Sequence, residues 1–172
     1  MLLAAGCGSG DPKSAASQAQ LQKTLKGAPA PLAKLYAHGG QILDGGPKPY
    51  QRQIAALKDY PIVVNKWASW CGPCRFEFPF FQAVSAKYGK RVAFLAIDGE
   101  DNKSDAREFL KKYPVPYPSY FDPHDEIVKE LHANVGFPTT SFYDRSGKLV
   151  YTKPGGYASQ AALEKDLRQW AR

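Results

Sequence analysis

Short apolar runs and helical apolar spacing alternate along most of this chain. Gln41-Ile42-Leu43 is a strand candidate, cut off by Gly45-Gly46-Pro47. From Tyr50 to Lys58 the apolar residues Ile54, Ala55 and Leu57 fit a short amphipathic helix. Pro61 opens a strand, Ile62-Val63-Val64-Asn65-Lys66-Trp67, rich in β-branched residues. A helix is expected from Cys71 to about Tyr88, ending at Gly89, with Pro79 expected to kink it. The run Val92 to Ile97, bounded by Lys90-Arg91 and Asp98, suits a strand buried on both faces of a parallel sheet.

Ser104 to Tyr113 reads as helix, with Ser104 as its N-cap and Phe109-Leu110 inward. Pro114, Pro116 and Pro118 forbid helix up to Tyr120, and Asp125 to His132 gives another helix. Thr139 to Tyr143 and Leu149 to Thr152 read as a hairpin turning at Asp144-Arg145-Ser146-Gly147. A last helix runs from Ser159 to about Trp170, with Ala162, Leu163, Leu167 and Trp170 on one face. The order is β-α-β-α-β-α, an extra α segment, then β-β-α. A βαβ half followed by a hairpin and a helix is the thioredoxin arrangement: an α/β fold with a central mixed sheet flanked by helices. Ile62–Lys66 and Val92–Ile97 are its expected inner, parallel strands.

Composition sharpens this. With 44% hydrophobic and 13% aromatic residues, the chain has enough apolar material for a packed core. The net charge of +7 is spread along the sequence, without the Lys/Arg stripe that nucleic-acid binding calls for. No apolar run reaches the roughly 18 residues a membrane span needs. Met1-Leu2-Leu3-Ala4-Ala5-Gly6-Cys7 looks like the end of a secretory hydrophobic region. Small residues precede Cys7, as at bacterial lipoprotein cleavage sites, and a polar tail runs from Gly8 to Gln20. Leu3 stands one place earlier than the usual lipobox residue, and no basic segment precedes it. Residues 1–28 are read as a leader remnant and flexible tether lipidated at Cys7, with nascent helix around Ala15 to Lys26. Residues 29–172 are read as the folded domain.

The chemistry lies in Cys71-Gly72-Pro73-Cys74. Two cysteines at i and i+3 in a first helical turn lie on one side, at a separation that suits a disulfide. The free N–H groups and partial positive charge of the helix N-terminus favour thiolate. Cys71, at the tip, is expected to be the attacking thiol and Cys74, one turn in, the resolving one. Pro73 has no N–H to leave unsatisfied there. The Gly-Pro pair is the one found in thioredoxin, whose potential of about −270 mV argues for a reductant. The site needs no cofactor beyond the cysteine pair. Zinc would need two further ligands; His124 and His132 are poorly spaced for that, and no metal is expected. His38, His124 and His132 are read as surface or packing residues.

Trp67-Ala68-Ser69-Trp70-Cys71-Gly72-Pro73-Cys74 is similar to the thioredoxin active-site segment nearly letter for letter. Three details resemble the TlpA/ResA-like thiol-disulfide oxidoreductases. Glu77 with Phe78-Pro79 matches their Glu-x-Pro segment. The stretch from about Asp101 to Ala133 sits where they carry a helix-containing insertion. Phe137-Pro138-Thr139 looks like their cis-proline site. The resemblance covers about residues 38 to 172. It implies an extracytoplasmic disulfide reductant, tethered to the membrane and monomeric. Its electrons would come from a membrane reductase of the CcdA/DsbD type. Its substrates would be exported protein disulfides such as those of apocytochrome c or copper-site proteins. It also implies a cis bond before Pro138 that leaves the Phe137 backbone free to pair with substrate. Trp70, Gly72, Pro73, Phe137, Pro138 and Thr139 would then form the substrate-binding rim.

Asn65 stands where thioredoxin has a buried Asp and cannot accept a proton. Glu77, one turn past Cys74, is therefore expected to take the Cys74 proton. The bland reading of Glu77 is a surface carboxylate paired with Arg75 or Lys66; that of Asn65 is a hydrogen-bonded buried amide. Tyr113, Tyr117, Tyr120 and Phe121 read as loop packing before a partner platform. Lys66 departs from the aromatic usual before Trp67 and reads as a half-exposed strand position. Two other functions compete. A peroxide-reducing redoxin is opposed by the paired cysteines. A Sco-like copper chaperone needs three residues between its cysteines and a late His ligand, and neither is present.

Overall fold

The computed structural model describes residues 16–131 and 136–172, leaving out the side chain of Glu130. The leader, Cys7 and His132 lie outside the described residues. Among the described residues, six strands form one sheet in the order β1-β4-β3-β2-β5-β6. They are β1 (Ile42–Leu43), β2 (Ile62–Trp67), β3 (Ala93–Gly99), β4 (Ser119–Asp122), β5 (Thr139–Tyr143) and β6 (Leu149–Pro154). β1, β4, β3 and β2 run parallel; β5 and β6 are antiparallel to them or to each other. β2 and β3 are the two inner strands, in register Ile62 with Ala93 through Trp67 with Asp98, and every residue of both is buried. That burial on both faces is why they read as continuous apolar runs.

Seven helices accompany the sheet among the described residues: α1 (Gln18–Thr24), α2 (Ala30–Tyr36), α3 (Pro47–Ala56), α4 (Gly72–Tyr88), α5 (Lys103–Lys112), α6 (Glu126–Glu130) and α7 (Gln160–Trp170). α4 packs against α7 and α1, and α6 packs against α3, β3 and β4. α4 continues through Pro79, which lacks the N–H that would bond the Arg75 carbonyl.

Three elements differ from expectation. β4 is absent from the sequence reading because three prolines precede it and its four residues show no alternation. It forms by insertion between β1 and β3, where Ser119 and Tyr120 pair with Ala96 and Ile97. α5 is capped by Asn102, whose side chain accepts from the Asp105 N–H, and not by Ser104. The helix expected within the tether forms as α1, closed by a Ser17/Gln20 capping box, but is packed onto the domain, with Leu21 and Leu25 buried.

The core converges on the end of β2. Trp67 is fully buried, stacked on Phe109 at 4.6 Å and edge-on to Phe78 at 5.2 Å. Its indole N–H donates to Ser119 Oγ at 3.0 Å. The loop that follows, Ala68–Trp70, therefore leaves a fixed point. Tyr117 and Tyr120 are buried and Tyr113 packs on Phe109, so these aromatics serve packing.

Candidate active site

Cys71 and Cys74 form a disulfide, their Cα atoms 5.3 Å apart. Cys71 is the N-cap of α4, and its sulfur accepts the Cys74 N–H at 3.1 Å. That N–H is one of the donors a helix start leaves free, so the fold supplies the Cys71 sulfur with a partner that favours negative charge. In this oxidised state both sulfurs are covered: Cys71 is 3% exposed and Cys74 wholly buried. The tip position thus gives Cys71 only a slight advantage in access.

The loop before the cysteines is pinned twice. The Ser69 N–H and hydroxyl both donate to the Asp101 carboxylate, the hydroxyl at 2.9 Å. Arg75 donates through Nη2 to the Ser69 carbonyl at 2.7 Å. Beside Asp101 lies Asp98, fully buried. Burial first, then the Asp101 charge and a hydrogen bond with Asp101, push the Asp98 carboxyl up to about 9.

Glu77 lies on the buried face of α4 with Cys74, one turn on. Its Oε1 accepts from Asn65 Nδ2 at 2.9 Å and its Oε2 from the Tyr157 N–H at 2.9 Å. It pairs with neither Arg75 nor Lys66: Arg75 reaches Ser69, and Lys66 reaches Asp125. Burial raises the Glu77 carboxyl to about 7, against the two hydrogen bonds and the positive charge of Lys153. The Lys153 ammonium is itself held by the carbonyls of Pro154, Gly155 and Gly156, which steadies the loop presenting the Tyr157 N–H.

The Phe137–Pro138 bond is cis. Gly156 marks where the site's parts meet: a Cβ there would lie 3.5 Å from both Glu77 Oε2 and Pro138 Cγ, and 3.8 Å from Pro73 Cβ. Phe137 sits edge-on to Trp70, with ring centroids 4.8 Å apart. Its backbone N–H and C=O have no partner among the described residues, whereas Pro138 C=O accepts from Gly155. Thr139 is buried and donates its hydroxyl to the Gly136 carbonyl. Gly72 has open space where a Cβ would stand. The expected site residues Trp70, Cys71, Pro73, Cys74, Glu77, Phe137 and Pro138 are thus brought together, from α4, its preceding loop and the approach to β5.

Asp101 and Lys153 had no signal in the sequence reading, and Arg75 and Lys66 were read only as surface partners of Glu77 or, for Lys66, as a half-exposed strand position. Each acts through a contact across the fold. Lys66 is not half-exposed but buried, with Nζ 3.4 Å from Asp125 Oδ2 and 3.9 Å from the Phe137 ring centroid. No group of three His, Cys, Asp or Glu side chains that would hold a metal occurs among the described residues.

A family model described as Redoxin matches residues 25–167. The chain is 30% identical over 117 residues to the thiol-disulfide oxidoreductase ResA of Bacillus thuringiensis subsp. konkukian, the match covering 66% of this chain and 66% of that protein. It thus spans just under two thirds of the length of that relative. Among solved structures it is similar to a Chlorobium tepidum protein described as a thiol:disulfide interchange protein DsbE. That match has 30% identity and a TM-score of 0.61, over 67% of this chain and 83% of the other. It is also similar to a secreted Mycobacterium tuberculosis disulfide oxidoreductase, with 26% identity and a TM-score of 0.58, over 67% and 85%.

Proposed function

The chain belongs to the Redoxin family, and from that premise we propose that it is a thiol–disulfide oxidoreductase that reduces protein disulfides through Cys71 and Cys74. The observation that carries this is the Cys71–Cys74 pair at the N-cap of α4, with a carboxyl near pKa 7 buried behind it. In the reduced protein the Cys71 thiolate attacks one sulfur of a substrate disulfide, and the other leaves as thiolate. Cys74 gives its proton to Glu77 and attacks the Cys71 sulfur. The second substrate thiolate leaves, and the chain's disulfide forms; two electrons have passed to the substrate. Glu77 suits this step because a carboxyl that titrates near neutrality both accepts and returns a proton there. Asn65 orients it.

Trp70 and Phe76 are the exposed large apolar side chains of the described residues, and both flank the cysteines, which favours a polypeptide substrate over a small molecule. The Phe137 backbone, unpaired among the described residues, offers that polypeptide an extended edge. The secreted Mycobacterium tuberculosis relative supports an extracytoplasmic site of action, which would suit exported substrates, such as apocytochrome c or copper-site proteins, and a membrane donor of the CcdA/DsbD type. No helix of the described residues is long and apolar enough to cross a membrane. Anchoring would rest on a lipid at Cys7, tested by labelling with a palmitate analogue in wild type and Cys7→Ala.

Insulin reduction with dithiothreitol as electron source tests the activity. Wild type should accelerate it, and Cys71→Ala should fall to the uncatalysed rate. Peroxide consumption above insulin turnover would favour a peroxide-reducing enzyme instead.

A further inference from the structure

An ammonium buried on a central strand demands compensation, because desolvation penalises an unpaired charge heavily. Lys66, on β2 immediately before Trp67, is such a group, only 3% exposed. The Glu100 carboxylate lies within reach of the Lys66 charge and shares a hydrogen bond with Asp125, and two direct contacts compensate the ammonium. One is Asp125, the residue preceding α6, at 3.4 Å. The other is the face of the Phe137 ring, 3.9 Å from Nζ to the centroid. Trp70 packs edge-on against that ring as well, and its indole N–H donates to the Glu100 carbonyl at 3.0 Å.

Gly99 makes the meeting possible. A Cβ there would stand 3.1 Å from both Lys66 Cε and Asp125 Oδ1, and 3.3 Å from Phe137 Cζ. Phe137 is therefore gripped by Lys66 from β2 and Trp70 from the cysteine loop, while its own backbone N–H and C=O stay unpaired among the described residues. A side chain that served packing alone would not need a charge at this place. A charge that served solubility would not be buried.

We infer that Lys66 is a positioning residue for substrate docking: its ammonium, anchored by Asp125, holds the Phe137 ring so that the open backbone of Phe137 is presented beside the cysteines. This rests on the reading of Phe137 as the residue that pairs with the substrate polypeptide. Lys66 touches neither the substrate nor the reacting sulfurs. Its influence falls on substrates that use the backbone edge, and not on disulfides that carry no polypeptide.

The test compares insulin with hydroxyethyl disulfide as substrates of wild type, Lys66→Met, Lys66→Arg, Phe137→Leu and Lys66→Met/Phe137→Leu. Lys66→Met should raise KM for insulin about tenfold, the scale of a desolvated cation–π contact, with kcat within about twofold. Turnover of hydroxyethyl disulfide should hold, Lys66→Arg should recover most of the insulin KM, and the double variant should be no worse than Phe137→Leu. If Lys66→Met does not fold, Lys66→Met/Asp125→Asn, which also removes the carboxylate left unpaired, takes its place. An unchanged insulin KM in the Lys66 variants, with Phe137→Leu impaired, overturns this inference alone. An equal loss on both substrates also overturns it, as a mere packing role. A wild type that reduces neither disulfide defeats the underlying activity; an unimpaired Phe137→Leu overturns this inference, since the ring that Lys66 holds would then not set the backbone edge.

Discussion

Glu77 sets the behaviour of the site at the scale of one residue. Its carboxyl titrates near 7 in the fold because burial opposes its charge, so the native state holds this proton more tightly than the unfolded chain does. The stability this contributes is complete below the unfolded value of about 4.5 and is lost as pH rises through about 7. In the disulfide form, Glu77→Gln should therefore match wild type at pH 4 and exceed it at pH 8, by at most on the order of 3 kcal/mol. Urea denaturation at the two pH values reads this, and a pH-independent difference would contradict it. In turnover the sign reverses: resolution by Cys74 should quicken as Glu77 ionises, and the Gln variant should be slower, without an inflection near 7. The cysteines were legible from sequence because i and i+3 spacing at a helix start is local geometry. Glu77 was legible through the same helical spacing. Lys66 and Asp98 were not, since what makes them unusual is burial, Lys66 beside Asp125 and Phe137 and Asp98 beside Asp101.

At the scale of the elements, the start of α6 rests on one side chain. Asp122, at the end of β4, accepts the N–H groups of Glu126, Ile127 and Val128 with its two oxygens. These are the donors a helix start leaves free. Asp122→Ala should cost about 1–2 kcal/mol in denaturation and loosen Asp125, so that the insulin KM rises as well. No change in either quantity would show that α6 holds its place without this cap. The same strand shows where the sequence pattern ran out. β4 has no alternation to announce it, although Tyr120 and Phe121 favour strand, and it forms only when β1 and β3 supply both edges. The cap of α5 at Asn102 was missed because Ser104 offers the same chemistry two residues on.

The whole molecule extends further towards its N-terminus than composition implied. The polar stretch before residue 28 hides Leu21 and Leu25, whose burial joins α1 to the domain. We therefore expect Leu25→Ala to lower stability by about 2–5 kcal/mol, and a chain beginning at residue 29 to be less stable than one beginning at residue 16. Equal stability would return the domain boundary to residue 28. The remaining architecture follows from patterns that are local or two-sided. Buried β2 and β3 read as unbroken apolar runs, and the β5–β6 hairpin declares its turn through Asp144 and Gly147. All of it serves to hold one sulfur pair at one helix start, so the central claim is tested at that pair. Reduced Cys74→Ala, mixed with insulin and mapped by mass spectrometry, should accumulate a mixed disulfide at Cys71, while Cys71→Ala accumulates none. A stable adduct on Cys74, or no adduct in either variant, would contradict the account.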